Sequence, residues 1–226
     1  METVPMKNFG WNDSEAPFYH GYLLPAVESF LPPPSRGVVL DIGCGNGYFV
    51  NRLIDKGYSA YGIDIAADGI ALANRTNPGC FFLCDAAEGT LPEPLRGQPI
   101  RTVVSMEVIE HLYSPRAFVE LARRVLAANG GGTLIISTPY HGYLKNFFIS
   151  IVGKWDYHWG ALWEGGHIKF WSRHTLTRLL EESGFRNVQF RGVGRFPYLW
   201  RHMVCRAETG PEAEPCDPTS EPKTSN

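Results

Sequence analysis

Short runs of branched apolar residues alternate along the chain with segments whose apolar positions recur every three or four residues. Val38-Val39-Leu40, Ala60–Ile63, Cys80–Leu83, Thr102–Ser105 and Thr133–Ser137 form the runs. They are too short for helices and rich in residues that favour strands. Between them, Tyr48–Lys56 places Phe49, Val50, Leu53 and Ile54 at helical spacing, and Asp68–Asn74 and Pro115–Ala127 read as further helices. Ser114 is the expected cap of the last of these, Pro115 takes its first position, and Gly130-Gly131-Gly132 ends it. Ser172 caps another helix over Arg173–Ser183, closed by Gly184, and Val188–Phe190 and Met203–Arg206 are the last candidate strands. Strands that are apolar throughout belong to a sheet covered on both faces. Their alternation with helices predicts an α/β, doubly wound sheet whose ligand site lies beyond the carboxyl ends of the central strands.

The same pattern divides the chain into zones. Residues 1–36 are aromatic and proline-rich, with a helix predicted over Phe18–Leu31 that offers Tyr22, Val27 and Phe30 for packing. Pro32-Pro33-Pro34 then makes a stiff connector. This zone is expected to be a helical lid, residues 37–206 the main domain, and 207–226, rich in Glu, Pro, Thr and Ser, a disordered tail. With 226 residues, 44% hydrophobic and 19% charged, the chain has the balance of one globular domain. A formal charge of -2 gives no basic surface for nucleic acid, so none is expected as a partner. Cys44, Cys80, Cys84, Cys205 and Cys216 include no CxxC pair and read as reduced thiols of a cytoplasmic protein. No signal peptide is expected at the N-terminus, and Phe147–Val152, the longest apolar run, is too short to span a bilayer.

Chemistry enters at Val38–Gly47, where a strand runs into Gly43-Cys44-Gly45-Asn46-Gly47 and a helix follows. Glycines there permit positive φ and let a ligand approach the backbone. Asp41, beside that turn, would repel a pyrophosphate but suits a ligand carrying an ammonium group. Asp64, after the second strand, can accept ribose hydroxyls, and Asp85, after the third, can accept an adenine amine. The acids together describe a cationic nucleoside without phosphates. A nicotinamide oxidoreductase on the same fold is disfavoured by Asp41 and by the Gly43-x-Gly45-x-Gly47 spacing.

This segment, with Asp64, Asp85 and Met106-Glu107-Val108-Ile109-Glu110-His111, resembles the class I S-adenosylmethionine-dependent methyltransferases. Glu107–His111, Ser137-Thr138-Pro139 and Gly166-His167-Ile168-Lys169-Phe170 are most similar to the ubiquinone-pathway O-methyltransferase group. The resemblance covers residues 36–206. It implies a Rossmann-like, seven-stranded, mostly parallel sheet with an antiparallel last strand. It also implies S-adenosylmethionine as cofactor, held by Asp41, Gly43, Gly45, Asp64, Asp85 and Met106, with Cys44, Ile65 and Ala86 in the same turns.

Methyl transfer to a phenolic or other hydroxyl oxygen of a small-molecule acceptor is the expected reaction, with nitrogen or carbon acceptors as alternatives. A binding module that has lost transfer is the remaining rival. Removing a phenol's proton near neutral pH needs a base or a metal. Glu107, Glu110 and His111 fall on one face if the segment turns helically, and could hold a divalent cation such as magnesium. His111 is the first candidate for base, supported by Glu110, with His141 and His167 flanking the pocket mouth. Residues 140–170 form an aromatic insertion expected to cap the substrate, with Tyr140, Tyr143, Trp155, Tyr157, Trp159 and Trp163. Within it, residues 143–155 are apolar with Lys145 and Lys154 near the ends, a composition that can make peripheral membrane contact.

Overall fold

The computed structural model describes residues 9–159, 162–163 and 165–211. Its elements in chain order are α1 (His20–Glu28), β1 (Val38–Ile42), α2 (Tyr48–Asp55), β2 (Ala60–Asp64), α3 (Ala67–Thr76), β3 (Phe81–Leu83) and β4 (Ile100–Met106). They are followed by α4 (Pro115–Ala128), β5 (Gly132–Pro139), α5 (Tyr143–Ile151), α6 (Asp156–Trp159), α7 (Arg173–Glu182), β6 (Arg186–Val193) and β7 (His202–Thr209). Seven strands make one sheet in the order β3-β2-β1-β4-β5-β7-β6. The pairs from β3 across to β5 are parallel, whereas β7 runs antiparallel to both β5 and β6.

Alternate residues of each central strand enter different cores. Leu40, Val103, Leu134, Ile136 and Cys205 pack with Phe118, Leu121, Leu126, Leu176 and Leu180 of α4 and α7. Val39, Val104, Ile135 and Val204 pack on the other side with α1, α2 and α3 through Leu23, Val27, Phe49, Leu53 and Ala73. This is why the strands read as uninterrupted apolar runs. Phe118 is 1% exposed, so truncating it to Ala would cost about 3–5 kcal/mol. The strand order reverses between β1 and β4, and the ends of these strands open the crevice where such sheets bind ligands.

Three local expectations change. The Ser114 side chain makes no capping hydrogen bond, so Pro115 and packing start α4; Ser172 does cap α7, in a reciprocal box with Thr175. The helix expected over Phe18–Leu31 shortens to α1 and contains Pro25. β7 continues to Thr209, so residues 207–209 are strand, because Gly132 and Thr133 of β5 extend the ladder to Glu208 and Thr209. The rest of the expected tail, 212–226 with Cys216, lies outside the described residues, as do residues 1–8 of the expected lid. Cys44, Cys84 and Cys205 are free and buried, and Cys80 is free and half-buried. No helix among the described residues is long and apolar enough to cross a membrane.

Candidate active site

The glycine turn is shaped by its neighbours. Gly43, Gly45 and Gly47 have φ of 85°, 54° and 77°, which L side chains rarely adopt. A Cβ on Gly43 would overlap Val108, one on Gly45 would come 2.6 Å from Trp11, and one on Gly47 would strike Ala73 and Phe81. Asp64 braces the turn by accepting from the backbone N–H of Gly45 at 2.8 Å and of Ala66 at 2.8 Å. Asp85 accepts from the Ala87 N–H at 2.8 Å and fixes the turn after β3. Cys44 and Met106 are buried, whereas Ile65 and Ala86 are half-buried along the same rim.

Asp41 is 1% exposed and its Oδ1 has no hydrogen-bond partner. Burial, and then the charge of Asp64, push its carboxyl up to about 8. A buried acceptor without a donor is costly, and a ligand ammonium relieves that cost. The orphaned oxygen and the glycine cradle therefore fit the expected cationic cofactor.

The N-terminal segment closes over this turn. Asp68 accepts from the backbone N–H groups of Phe9, Gly10 and Trp11, which seats Trp11 against Gly45 and Gly69. Asn46 Nδ2 donates to the carbonyls of Asp13 and Glu15. Gly10 to Asp13, Glu15 to Pro17 and Tyr19 line an open cavity of about 360 Å³ in this segment.

Beyond β4 the backbone does not make the helical turn expected for Glu107–His111. Glu107 has φ of 56°, and only Ile109–His111 form a short 3-10 turn. Glu107 therefore turns away from Glu110: its Oε1 accepts from Ser137 Oγ at 2.7 Å and its Oε2 lies 3.0 Å from His202 Nε2. In its place stands His167. Glu110, His111 and His167 offer ligand atoms that all lie within 4.8 Å of one another. The expected metal trio thus loses Glu107 and gains His167, because the left-handed residue breaks the i, i+3 geometry.

Glu110 is 1% exposed, with Oε2 accepting from Thr138 Oγ1 at 3.0 Å and Oε1 left without a hydrogen bond. That oxygen lies 4.0 Å from the Nε2 atoms of both His111 and His167. Burial, and then Glu107, hold the Glu110 carboxyl well above the usual range. His111 Nδ1 lies 3.3 Å from the Gly166 carbonyl, and Trp163 packs edge-on against both imidazoles. Burial, and then His111, lower His167 to about 4. His141 is not brought into this cluster: it packs on Phe170, its backbone N–H donates to Trp171, and burial lowers it to about 4.

The aromatic insertion divides between core and surface. Tyr140 turns inward onto Phe190 and Trp200, so it supports β6 and β7 and forms no cap. Tyr143, Tyr157 and Trp163 are exposed. Lys145 of α5 is buried instead of flanking an exposed face, with Nζ donating to the Tyr140 carbonyl at 2.6 Å and the Arg201 carbonyl at 3.3 Å. His202 and Asp68 escaped the sequence reading of the site, since their partners are remote in sequence; Ser137 carried a signal through the Ser137–Pro139 strand end, and Trp11 as one of the aromatics of the expected lid.

The model of a methyltransferase domain family matches residues 17–190. A ubiquinone biosynthesis O-methyltransferase of Methylobacterium nodulans is 32% identical over 184 residues, covering 76% of this chain and 68% of the relative. Another of that name, from Dinoroseobacter shibae, is 30% identical over 72% of this chain, which spans 65% of that relative's length. Among solved structures, the magnesium protoporphyrin IX methyltransferase of Synechocystis with bound S-adenosylhomocysteine superposes with a TM-score of 0.55 at 18% identity, over 83% of this chain and 80% of the other. That likeness speaks for the fold. The family match, the glycine turn and its acids agree, and the chain belongs to the S-adenosylmethionine-dependent methyltransferases.

Proposed function

We propose that the chain transfers the methyl group of S-adenosylmethionine to a phenolic or other hydroxyl oxygen of a small, flat acceptor. The observation that carries this reading is Glu110 Oε1, buried without a hydrogen-bond donor between two imidazoles. Bound S-adenosylmethionine supplies an electrophilic methyl on a sulfonium, and the protein must align an oxygen with it. His111 and His167 are the groups to take the proton that oxygen gives up, with Glu110 beside both Nε2 atoms to orient them. Asp41 receives the ammonium end of the donor, and Asp64 and Asp85 receive its ribose and adenine. The O-methyltransferase names of the curated relatives support an oxygen acceptor.

Glu110, His111 and His167 also fit a divalent cation, which would lower the pKa of a bound phenol. One carboxylate and two imidazoles suit manganese, iron(II) or zinc better than the magnesium expected from two carboxylates.

A peripheral membrane contact is part of the proposal. α5, within the aromatic insertion, presents Tyr143, Phe147, Phe148 and Ile151 to solvent, 84%, 48%, 47% and 64% exposed. Such a face collects apolar acceptors at a bilayer interface. The free thiols suit the reducing cytoplasmic side. The test is a panel of phenols, catechols, amines and carbon acids assayed with labelled donor, before and after chelation. Labelled ether from a hydroxyl acceptor is expected; methylation of amines or carbon acids alone would overturn the oxygen reading.

A further inference from the structure

Glu107 is held by Ser137 of β5 and by His202 of β7. Its backbone N–H donates to the Ser137 carbonyl at 3.2 Å, Ser137 Oγ donates to Oε1 at 2.7 Å, and His202 Nε2 lies 3.0 Å from Oε2. His202 opens β7 opposite Pro139 of β5, and its Nδ1 lies 3.0 Å from the Tyr22 hydroxyl of α1. An ionised carboxylate only accepts, so Nε2 carries the proton toward Glu107 and Nδ1 can accept from Tyr22. One imidazole thus ties α1, β7 and the residue after β4 together. The arrangement maintains a left-handed backbone at a non-glycine residue, a conformation that persists only where its surroundings impose it.

Glu107 follows the end of β4, which lies beside the end of β1 where Asp41 pairs with Val104. Tyr19, the residue before α1, has its ring 6.2 Å from that of His202. Tyr19 also lines the cavity beside Gly10 and Trp11; burial raises its hydroxyl strongly, and the charges of Glu107, Glu110 and Asp41 raise it further.

We infer that His202 is a positioning residue: it keeps the Glu107 carboxylate turned into the enclosure that Asp41 and Tyr19 share, so that the site favours the cationic donor over its neutral thioether product. Tyr22 makes the seating of α1 part of the same device. The role concerns the donor alone and does not depend on the acceptor.

Calorimetric titration with S-adenosylmethionine and with S-adenosylhomocysteine tests this on the full chain, with a melting curve for each variant. His202→Ala is expected to weaken the sulfonium compound about fivefold to tenfold while the thioether changes less than about twofold, the scale of one partly screened charge. His202→Gln, which restores an N–H toward Glu107, should recover most of the ratio. Glu107→Gln should lose the ratio as His202→Ala does, and the double variant should lose no more. Equal weakening of both compounds, or a Gln variant no better than Ala, would reduce His202 to a structural strut and overturn the inference.

Discussion

Glu110 Oε1 and His167 Nε2 stand 4.0 Å apart, although one residue follows β4 and the other ends the insertion after β5. The contact is imposed by backbone: the Glu110 carbonyl accepts from the N–H groups of Ile168 and Lys169, which fastens the returning segment of the insertion to the turn after β4. The proposed acceptor end is thus built across two loops at the mouth of neighbouring parallel strands.

Replacing His167 with Ala should therefore lower turnover about as much as replacing His111, each by roughly 10²-fold or more if they move the acceptor's proton. Affinity for S-adenosylhomocysteine should stay within about twofold. Steady-state kinetics beside calorimetry decides it; full turnover in either variant removes that residue from the chemistry.

Asp41 predicts a pH effect whose sign follows from burial. Its carboxyl titrates near 8 in the fold and near 4 when unfolded, so the folded state holds the extra proton between these values. Its contribution to stability is greatest below the unfolded value and fades as pH rises toward 8. Asp41→Asn should accordingly melt higher than the parent at pH 8 without cofactor, by roughly 2–4 °C for each kcal/mol, and nearly level at pH 4. Donor affinity should fall about tenfold or more as the charged contact is lost. A lower melting point at both pH values would contradict the account of a strained, vacant acceptor.

Gly45→Ala should weaken donor binding and cost about 1–3 kcal/mol, because a Cβ meets Trp11 and φ is positive. Combining it with Trp11→Ala should restore only the part due to crowding. A denaturant series of the single and double variants separates the two.

The doubly wound core was legible because apolar runs buried on both sides leave no alternation to misread. The glycine turn and its acids were legible too, since Asp41, Gly43, Gly45 and Asp64 sit at strand ends that local pattern places. The acceptor end was less so. Spacing put Glu107 beside Glu110, but a left-handed φ sent it to His202, and nothing near Glu107 in sequence announces that partner. Likewise Tyr140 reads as one more aromatic of the insertion, whereas the antiparallel return of β7 draws it inward onto Trp200. Both misplacements come from contacts closed by the last strands.

Phe147→Ser with Phe148→Ser should abolish binding to vesicles while leaving the melting temperature within a few degrees, since both rings are about half exposed. Flotation with neutral and anionic vesicles measures it. Parent protein that stays in the dense fraction with both compositions would end the membrane proposal.

The Asp68 carboxylate that gathers three N–H groups from Phe9, Gly10 and Trp11 implies an order of melting. These contacts lie on an exposed rim, far in sequence from what they hold, so they open at lower free energy than the sheet. Warming should uncover the donor pocket while the strands are still intact. Amide exchange at Phe9–Trp11 would then be fast while that of β1 and β4 is slow, and bound donor would slow the first without touching the second. Asp68→Asn should widen the interval between loss of activity and loss of fold, which makes one carboxylate the setting of the enzyme's working temperature.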